Sequence, residues 1–160
     1  MVGERDFKAA CGQFATGVTI VTTTTAAGEP VGVTINSFSS VSLDPPLVLF
    51  CLDRDAGTYA AFESCQAFAV NILSRHQMDL SVRFSRPQPQ RFDDLAHFMG
   101  ETGAPVLEEC IACLECTREA AYEGGDHVIL VGRVAAVHQR DGNDPLLYFG
   151  GRYATLGPDA

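Results

Sequence analysis

The chain has 160 residues and a mass of 17.1 kDa, the size of one domain spanning 1–160, and its 46 % hydrophobic content suffices for a single sizeable core. Lys and Arg number 11 against 20 Asp and Glu, a net charge of −9 and a pI near 4.7, so the surface would repel a polyanion and no nucleic-acid partner is expected. No apolar run approaches the ~20 residues of a membrane span, the start MVGERDFKAA has no basic-then-apolar signal segment, and the six cysteines read as reduced thiols of a cytoplasmic protein.

In chain order, Phe7, Ala10, Cys11 and Phe14 fall on one face of a short helix. Residues 18–25 are almost all β-branched, which suits a pleated strand. Ala27-Gly28-Glu29-Pro30 turns the chain into a second strand over 31–36, giving a hairpin. A Ser-rich crossing over 37–42 runs to Asp44-Pro45-Pro46, and the apolar run 47–52 is short enough to be a buried strand. A short helix is expected over 58–65 with Thr58 as N-cap, then a strand over 68–73. Ser74 and Gln77 match the S-x-x-Q capping box and predict a helix from Arg75 to about Phe84. Two prolines make 85–91 a loop. Residues 107–122 and 127–138 predict two long strands joined by Glu123-Gly124-Gly125-Asp126, and 146–149 a short last strand before Gly150-Gly151. The pattern is mainly β without a βαβ rhythm, which favours a small barrel.

Motifs for the common chemistries are missing: there is no G-x-S-x-G, phosphate loop, H-E-x-x-H or G-x-G-x-x-G. Cys110, Cys113 and Cys116 form a C-x2-C-x2-C run, the form of an iron–sulfur or zinc ligand set. On a strand, however, Cys110 and Cys116 would share one face and Cys113 the other, so three ligands could not converge and no metal is expected. His127 stands apart from His76, His97 and His138 because Gly125-Asp126-His127 leads straight into an apolar strand. Thr34, Asn36, Ser37, Ser39, Ser40 and Ser42 gather small polar groups where a strand gives way to a loop, a composition able to hold a phosphate or a heteroaromatic edge. Arg83, at the end of the third helix, could pair with a phosphate.

Six segments in one order resemble a known family: Phe14-Ala15-Thr16-Gly17-Val18-Thr19-Ile20-Val21-Thr22-Thr23, Thr34-Ile35-Asn36-Ser37-Phe38-Ser39-Ser40-Val41-Ser42, Leu43-Asp44-Pro45-Pro46-Leu47-Val48, Phe68-Ala69-Val70-Asn71-Ile72-Leu73, Gly125-Asp126-His127 and Pro145-Leu146-Leu147-Tyr148-Phe149. Together they resemble the short-chain flavin reductases, which supply reduced flavin to two-component monooxygenases. The resemblance implies a six-stranded antiparallel Greek-key split β-barrel, the FMN-binding split barrel, present as a homodimer with flavin near the subunit interface. It implies FMN or FAD contacts at Thr34, Asn36, Ser37, Ser40 and Val41, with Cys51 near the flavin, and phosphate or ribityl contacts at Thr58, Arg83 and Phe84. His127 and the stretch Tyr148, Phe149, Gly150 and Gly151 match the side where nicotinamide docks. The three-cysteine run is not part of the family pattern.

The chemistry so implied is hydride transfer from NADH or NADPH to flavin, for which the protein must stack two rings in register. His127 is the residue assigned to the catalytic step, positioning nicotinamide or its carboxamide with no obligatory proton transfer. Asn36 or backbone N–H groups could stabilise charge on the reduced flavin. The loop over 85–91 could supply a 2′-phosphate site. A partner flavin-dependent monooxygenase would receive diffusible reduced flavin. Two alternatives share the barrel: an enzyme with firmly held FMN that reduces ferric iron or a corrinoid, and a non-catalytic flavin-binding module.

Overall fold

The structure, a computed structural model, describes residues 2–87, 92–142 and 144–157. Helix α1 (Glu4–Cys11) forms where the Phe7–Phe14 spacing predicts it, yet none of its residues is buried and both phenylalanines are exposed. Strand β1 (Thr16–Gly17) leads into β2 (Thr19–Thr24), which makes the expected hairpin with β3 (Pro30–Ile35). The Ser-rich stretch is no loop. It is strand β4 (Ser39–Leu43), paired with β5 (Pro46–Asp53) across the Asp44–Pro45 turn. Four of its five residues are exposed, so no apolar alternation announces it.

Helix α2 (Tyr59–Ser64) follows Thr58, whose side chain makes no capping hydrogen bond. After β6 (Ala67–Ile72), helix α3 (Met78–Ser85) begins three residues later than the capping box predicts. The Ser74 backbone N–H does donate to Gln77 Oε1 at 2.9 Å, but the pair closes a turn that delivers Gln77, not Ser74, to the N-cap position. The long strand expected over 107–122 is interrupted. β7 (His97–Met99) and β8 (Pro105–Leu107) pair with each other, Glu109 takes φ 65°, and β9 (Ala112–Gly124) starts beyond it. β10 (His127–Gln139) runs back along β9, and β11 (Leu147–Phe149) pairs with an unforeseen β12 (Arg152–Ala154).

Seven strands form one antiparallel sheet in the order β3-β2-β6-β9-β10-β5-β4. Six of them, β3 round to β5, make the barrel, and β4 extends it as a seventh. The Greek-key split barrel expected from the sequence therefore stands, with more strands than six: β1-β11-β12 and β7-β8 form two further small sheets. At the split, one hydroxyl joins the two edges. Ser37 Oγ donates to the Cys51 carbonyl and accepts from the Cys51 N–H, each at 3.0 Å.

The main core gathers Val21, Val48, Phe50, Phe62, Phe68 and Leu130, with Phe50 edge-on to Phe62 at 5.7 Å and to Phe68 at 5.1 Å. Gly132 makes room for that packing, since a Cβ there would lie 2.4 Å from Phe68 Cζ and 2.8 Å from Cys116 Cβ. A second cluster, with Val18, Ile20, Leu73, Phe84 and Leu146, seats α3 against β2.

One carboxylate is wholly inside: Glu115 on β9 is 0 % exposed. It accepts from the Thr102 N–H at 2.9 Å, from Thr102 Oγ1 at 3.1 Å and from His138 Nε2 at 2.7 Å. Gly100 is required beside it, because a Cβ would stand 2.2 Å from Glu115 Oε2. Burial pushes the carboxyl pKa up, but the bonds from Thr102 and His138 outweigh burial and hold it below the usual 4.5. Since the folded value lies below the unfolded one, this group stabilises the fold above about pH 4.5, and that contribution disappears as pH falls through the folded value. In urea unfolding, wild type is expected to exceed Glu115→Gln in stability at about pH 7, with the gap narrowing by about pH 3. A gap that does not change with pH would contradict this account.

Candidate functional site

Alternation along β3 sets the site. Ile35 turns into the core, so Thr34 and Asn36 on either side of it face outward. There they form a wall shared by two clefts. One, about 280 Å³, is lined by Thr34, Asn36, Ser37, Cys51, Asp53 and His127 among others. The other, about 430 Å³, runs from Thr34 and Asn36 to Ser81, Arg86, Tyr148 and Tyr153, with Gly151 beside them. The far wall of this second cleft is braced at two points. Thr34 Oγ1 donates to the Ser81 carbonyl at 2.7 Å, and Ser81 Oγ meets Tyr153 Oη at 2.8 Å.

His127 opens β10 directly across from Asp53. Its Nδ1 is 2.7 Å from Asp126 Oδ1, and the ring is 40 % exposed. Among the described residues nothing bonds Nε2, which leaves that nitrogen for a ligand. The hydrogen bond from His127 holds the Asp126 carboxyl below the usual range.

The remaining sequence-predicted residues divide. Thr34, Asn36, Ser37, Cys51, Tyr148, Gly151 and His127 come together at the paired clefts. Gly150, at φ 57°, instead donates its N–H to the Gly12 carbonyl at 2.8 Å and ties the β11–β12 turn to the end of α1. Ser40 and Val41 sit exposed on β4, outside both cleft linings. Phe84 is turned inward, 1 % exposed, with its Cε1 2.9 Å from where a Gly32 Cβ would be and its ring 5.2 Å from Phe92. Its place is core packing. Arg83 donates to the Asp93 carbonyl at 2.6 Å, which ties the guanidinium to the chain beyond α3. Among the described residues the cation that lines the second cleft is Arg86, which falls in the loop over 85–91 considered for a phosphate, whereas sequence reading singled out neither Ser81 nor Tyr153. Of the loop over 85–91 considered for a 2′-phosphate, residues 88–91 lie outside the described residues.

The cysteine run is dispersed. Cys110, Cys113 and Cys116 belong to three separate core clusters. Desolvation pushes the Cys110 thiol up to about 11 and Cys116 to about 12, and it raises Cys113 further still. These are protonated, inert core thiols.

Thr58 carries a different signal. Its Oγ1 is buried and, among the described residues, has no hydrogen-bond partner, two positions beyond Ala56 of the first cleft. An orphaned buried hydroxyl costs about 1–3 kcal/mol, which a bound polar group can recover.

The geometry has counterparts among known proteins. Residues 11–157 match the family described as flavin reductase like domain. The chain is 47 % identical over 149 residues to the FMN reductase (NADH) SmoA of Agrobacterium fabrum, covering 93 % of this chain and 84 % of that one. It is 37 % identical over 158 residues to HsaB of Rhodococcus jostii, the reductase subunit of a flavin-dependent monooxygenase, covering 99 % and 80 %. Its fold superposes with a TM-score of 0.92 and 38 % identity on the NADH:FAD oxidoreductase SgcE6 of Streptomyces globisporus, solved with NAD and FAD fragments, covering 100 % of this chain and 98 % of that one. The class is thus the reductases built on the flavin-binding split barrel. The chain belongs to the flavin reductase like domain family, as the ordered segments of its sequence led one to expect.

Thr58→Val is expected to leave unfolding free energy unchanged or slightly higher without flavin, and to weaken flavin binding about fivefold. Equilibrium unfolding and fluorescence titration with FMN measure the two effects. A destabilised apoprotein with unaltered FMN affinity would show that the hydroxyl already has its partner within the fold.

Proposed function

We propose that the protein is an NAD(P)H:flavin oxidoreductase that reduces FMN or FAD and supplies reduced flavin to a partner monooxygenase. The observation that carries this reading is the shared wall: Thr34 and Asn36 border both clefts, so two flat ligands held there meet over the same two residues. When bound, a flavin would supply the redox chemistry, taking a hydride, two electrons with one proton, from the reduced nicotinamide.

The protein's own task is placement. The Asn36 side-chain amide stands where it can donate to a ring edge and stabilise negative charge there. His127, its Nδ1 committed to Asp126, offers Nε2 to the nicotinamide carboxamide and so orients the donor without giving up a proton. Arg86 lines the second cleft as a cation suited to a phosphate. This explains why no acid–base pair stands out in the sequence. SmoA and SgcE6 are named for NADH, which makes NADH the first donor to test.

A homodimer fits the same reading. Phe7, Phe14, Val41 and Phe149 are exposed, and Leu43 is 95 % exposed, apolar side chains that a second copy would cover. Ser40 and Val41, outside the clefts of one chain, would then reach a site completed by the twin. Release of reduced flavin to a monooxygenase parallels the role in HsaB's name. A cytoplasmic setting suits the six free cysteines. No helix among the described residues is long and apolar enough to cross a membrane.

Steady-state oxidation of NADH and NADPH, each with FMN, FAD or no added flavin, tests the reading. Turnover is expected to rise with added free flavin. His127→Ala should raise the KM for the nucleotide about tenfold and leave that for flavin nearly unchanged. Flavin-independent turnover would indicate an enzyme with firmly held FMN, and no turnover a binding module. Either would overturn the proposal.

A further inference from the structure

The β9–β10 turn that presents His127 is an unpromising mount for a residue that must hold a ligand in register. Glu123, Gly124, Gly125 and Asp126 are all exposed, none contributes to a core cluster, and Gly125 has φ +78°. The ladder is paired as far as Gly124 and His127, and Gly125-Asp126 closes it as a two-residue turn. What the ladder leaves exposed is the tip itself, which a side chain from outside the turn can hold.

Arg54 does so from three directions. Its backbone N–H donates to the Asp126 carbonyl at 3.0 Å. Its guanidinium reaches over the turn to the Glu123 carboxylate with Nη2 and back to Tyr59 Oη with Nη1, the latter at 2.9 Å. Tyr59 in turn donates to Glu63 Oε1 at 3.2 Å, and the Arg54 guanidinium carbon lies 5.7 Å from the centre of the Tyr59 ring. The hairpin tip is thereby fastened to the start of α2, where Tyr59 itself packs against the main core. Asp53, the residue before Arg54, is the register partner of His127 itself. One planar side chain spans both anchors, which the point charge of a lysine could not do.

We propose that Arg54 is a positioning residue for His127: it clamps the Glu123–Asp126 turn so that the imidazole is presented to the cleft in one orientation. The role rests on the assignment of His127 to the nucleotide in the reading above. It goes beyond that reading by naming what makes the assignment mechanically possible. Stability is not what the clamp supplies. The Glu123 side chain is 86 % exposed and that of Arg54 34 %, and an ion pair in such surroundings adds little to the fold. Its effect is local, on the population of one hairpin conformation.

Three variants, Arg54→Ala, Arg54→Lys and His127→Ala, with the double variant Arg54→Ala/His127→Ala, test the clamp. Hydrogen–deuterium exchange of the flavin-free protein is read first. Arg54→Ala is expected to speed exchange over residues 124–128 with the rest of the barrel unchanged and Tm shifted by no more than about 2 °C. Unaltered protection of that segment would overturn the proposal. In steady state with NADH and FMN, Arg54→Ala should raise the KM for NADH about three- to tenfold, with the KM for FMN unchanged, and Arg54→Lys should recover only part of the loss. Adding Arg54→Ala to His127→Ala should then cost nothing more. Additive losses, or equal losses for both ligands, would contradict a role exerted through His127. If His127→Ala itself leaves NADH kinetics untouched, the assignment of His127 falls, and the exchange measurement alone decides whether the clamp exists.

Discussion

A barrel split between two strands must either leave its edges open or join them by some means other than a backbone ladder. Here a single hydroxyl, Ser37 Oγ, takes both the N–H and the carbonyl of Cys51. This pair of hydrogen bonds fixes the end of β3 against β5, which the β5–β10 ladder in turn holds in register with His127. With Ile35 held in the core, Thr34 and Asn36 must face outward at the split. With β5 held at Cys51, Asp53 lies in register with His127 on β10. Ser37 therefore serves the site by closing the barrel, before any contact it makes with a ligand.

The polar groups of the molecule divide into those that are spent and those that are open. Glu115, Ser37 and Ser81 are engaged by hydrogen bonds within the fold, and Arg83 commits one donor to the Asp93 carbonyl. Asn36, the Nε2 of His127 and Arg86 are left to the paired clefts, and the Thr58 hydroxyl is buried without a partner among the described residues. Such a distribution suits a reaction in which both reactive centres belong to the bound molecules and the protein supplies orientation. Three of the six cysteines lie in separate parts of the core.

Much of this was legible in the sequence, and for identifiable reasons. Runs such as 47–52 and 127–138 carry a strong apolar signal and become β5 and β10. The Asn36 and His127 segments were found through an ordered set of weak motifs, no one of which would have sufficed. What escaped notice lacks a local signal. β4 is an exposed edge whose pairing with β5 is a tertiary fact, and the break before β9 turns on one residue, Glu109, with positive φ. Arg83 and Phe84 could be placed on the right helix, but their directions depend on where α3 packs. The helix turns Phe84 toward Gly32 and leaves Arg86 to the cleft. Arg54 is invisible in sequence because its partners lie 5 and 69 residues away.

The central claim is that one wall, Thr34 and Asn36, serves two flat redox ligands at once. The most direct measurement is a structure of the protein with FMN and a non-reactive reduced-nicotinamide analogue bound together. The account predicts two rings face to face beside Asn36, with His127 on the nicotinamide side. Rings held apart, or a flavin seated away from the end of β3, would contradict it.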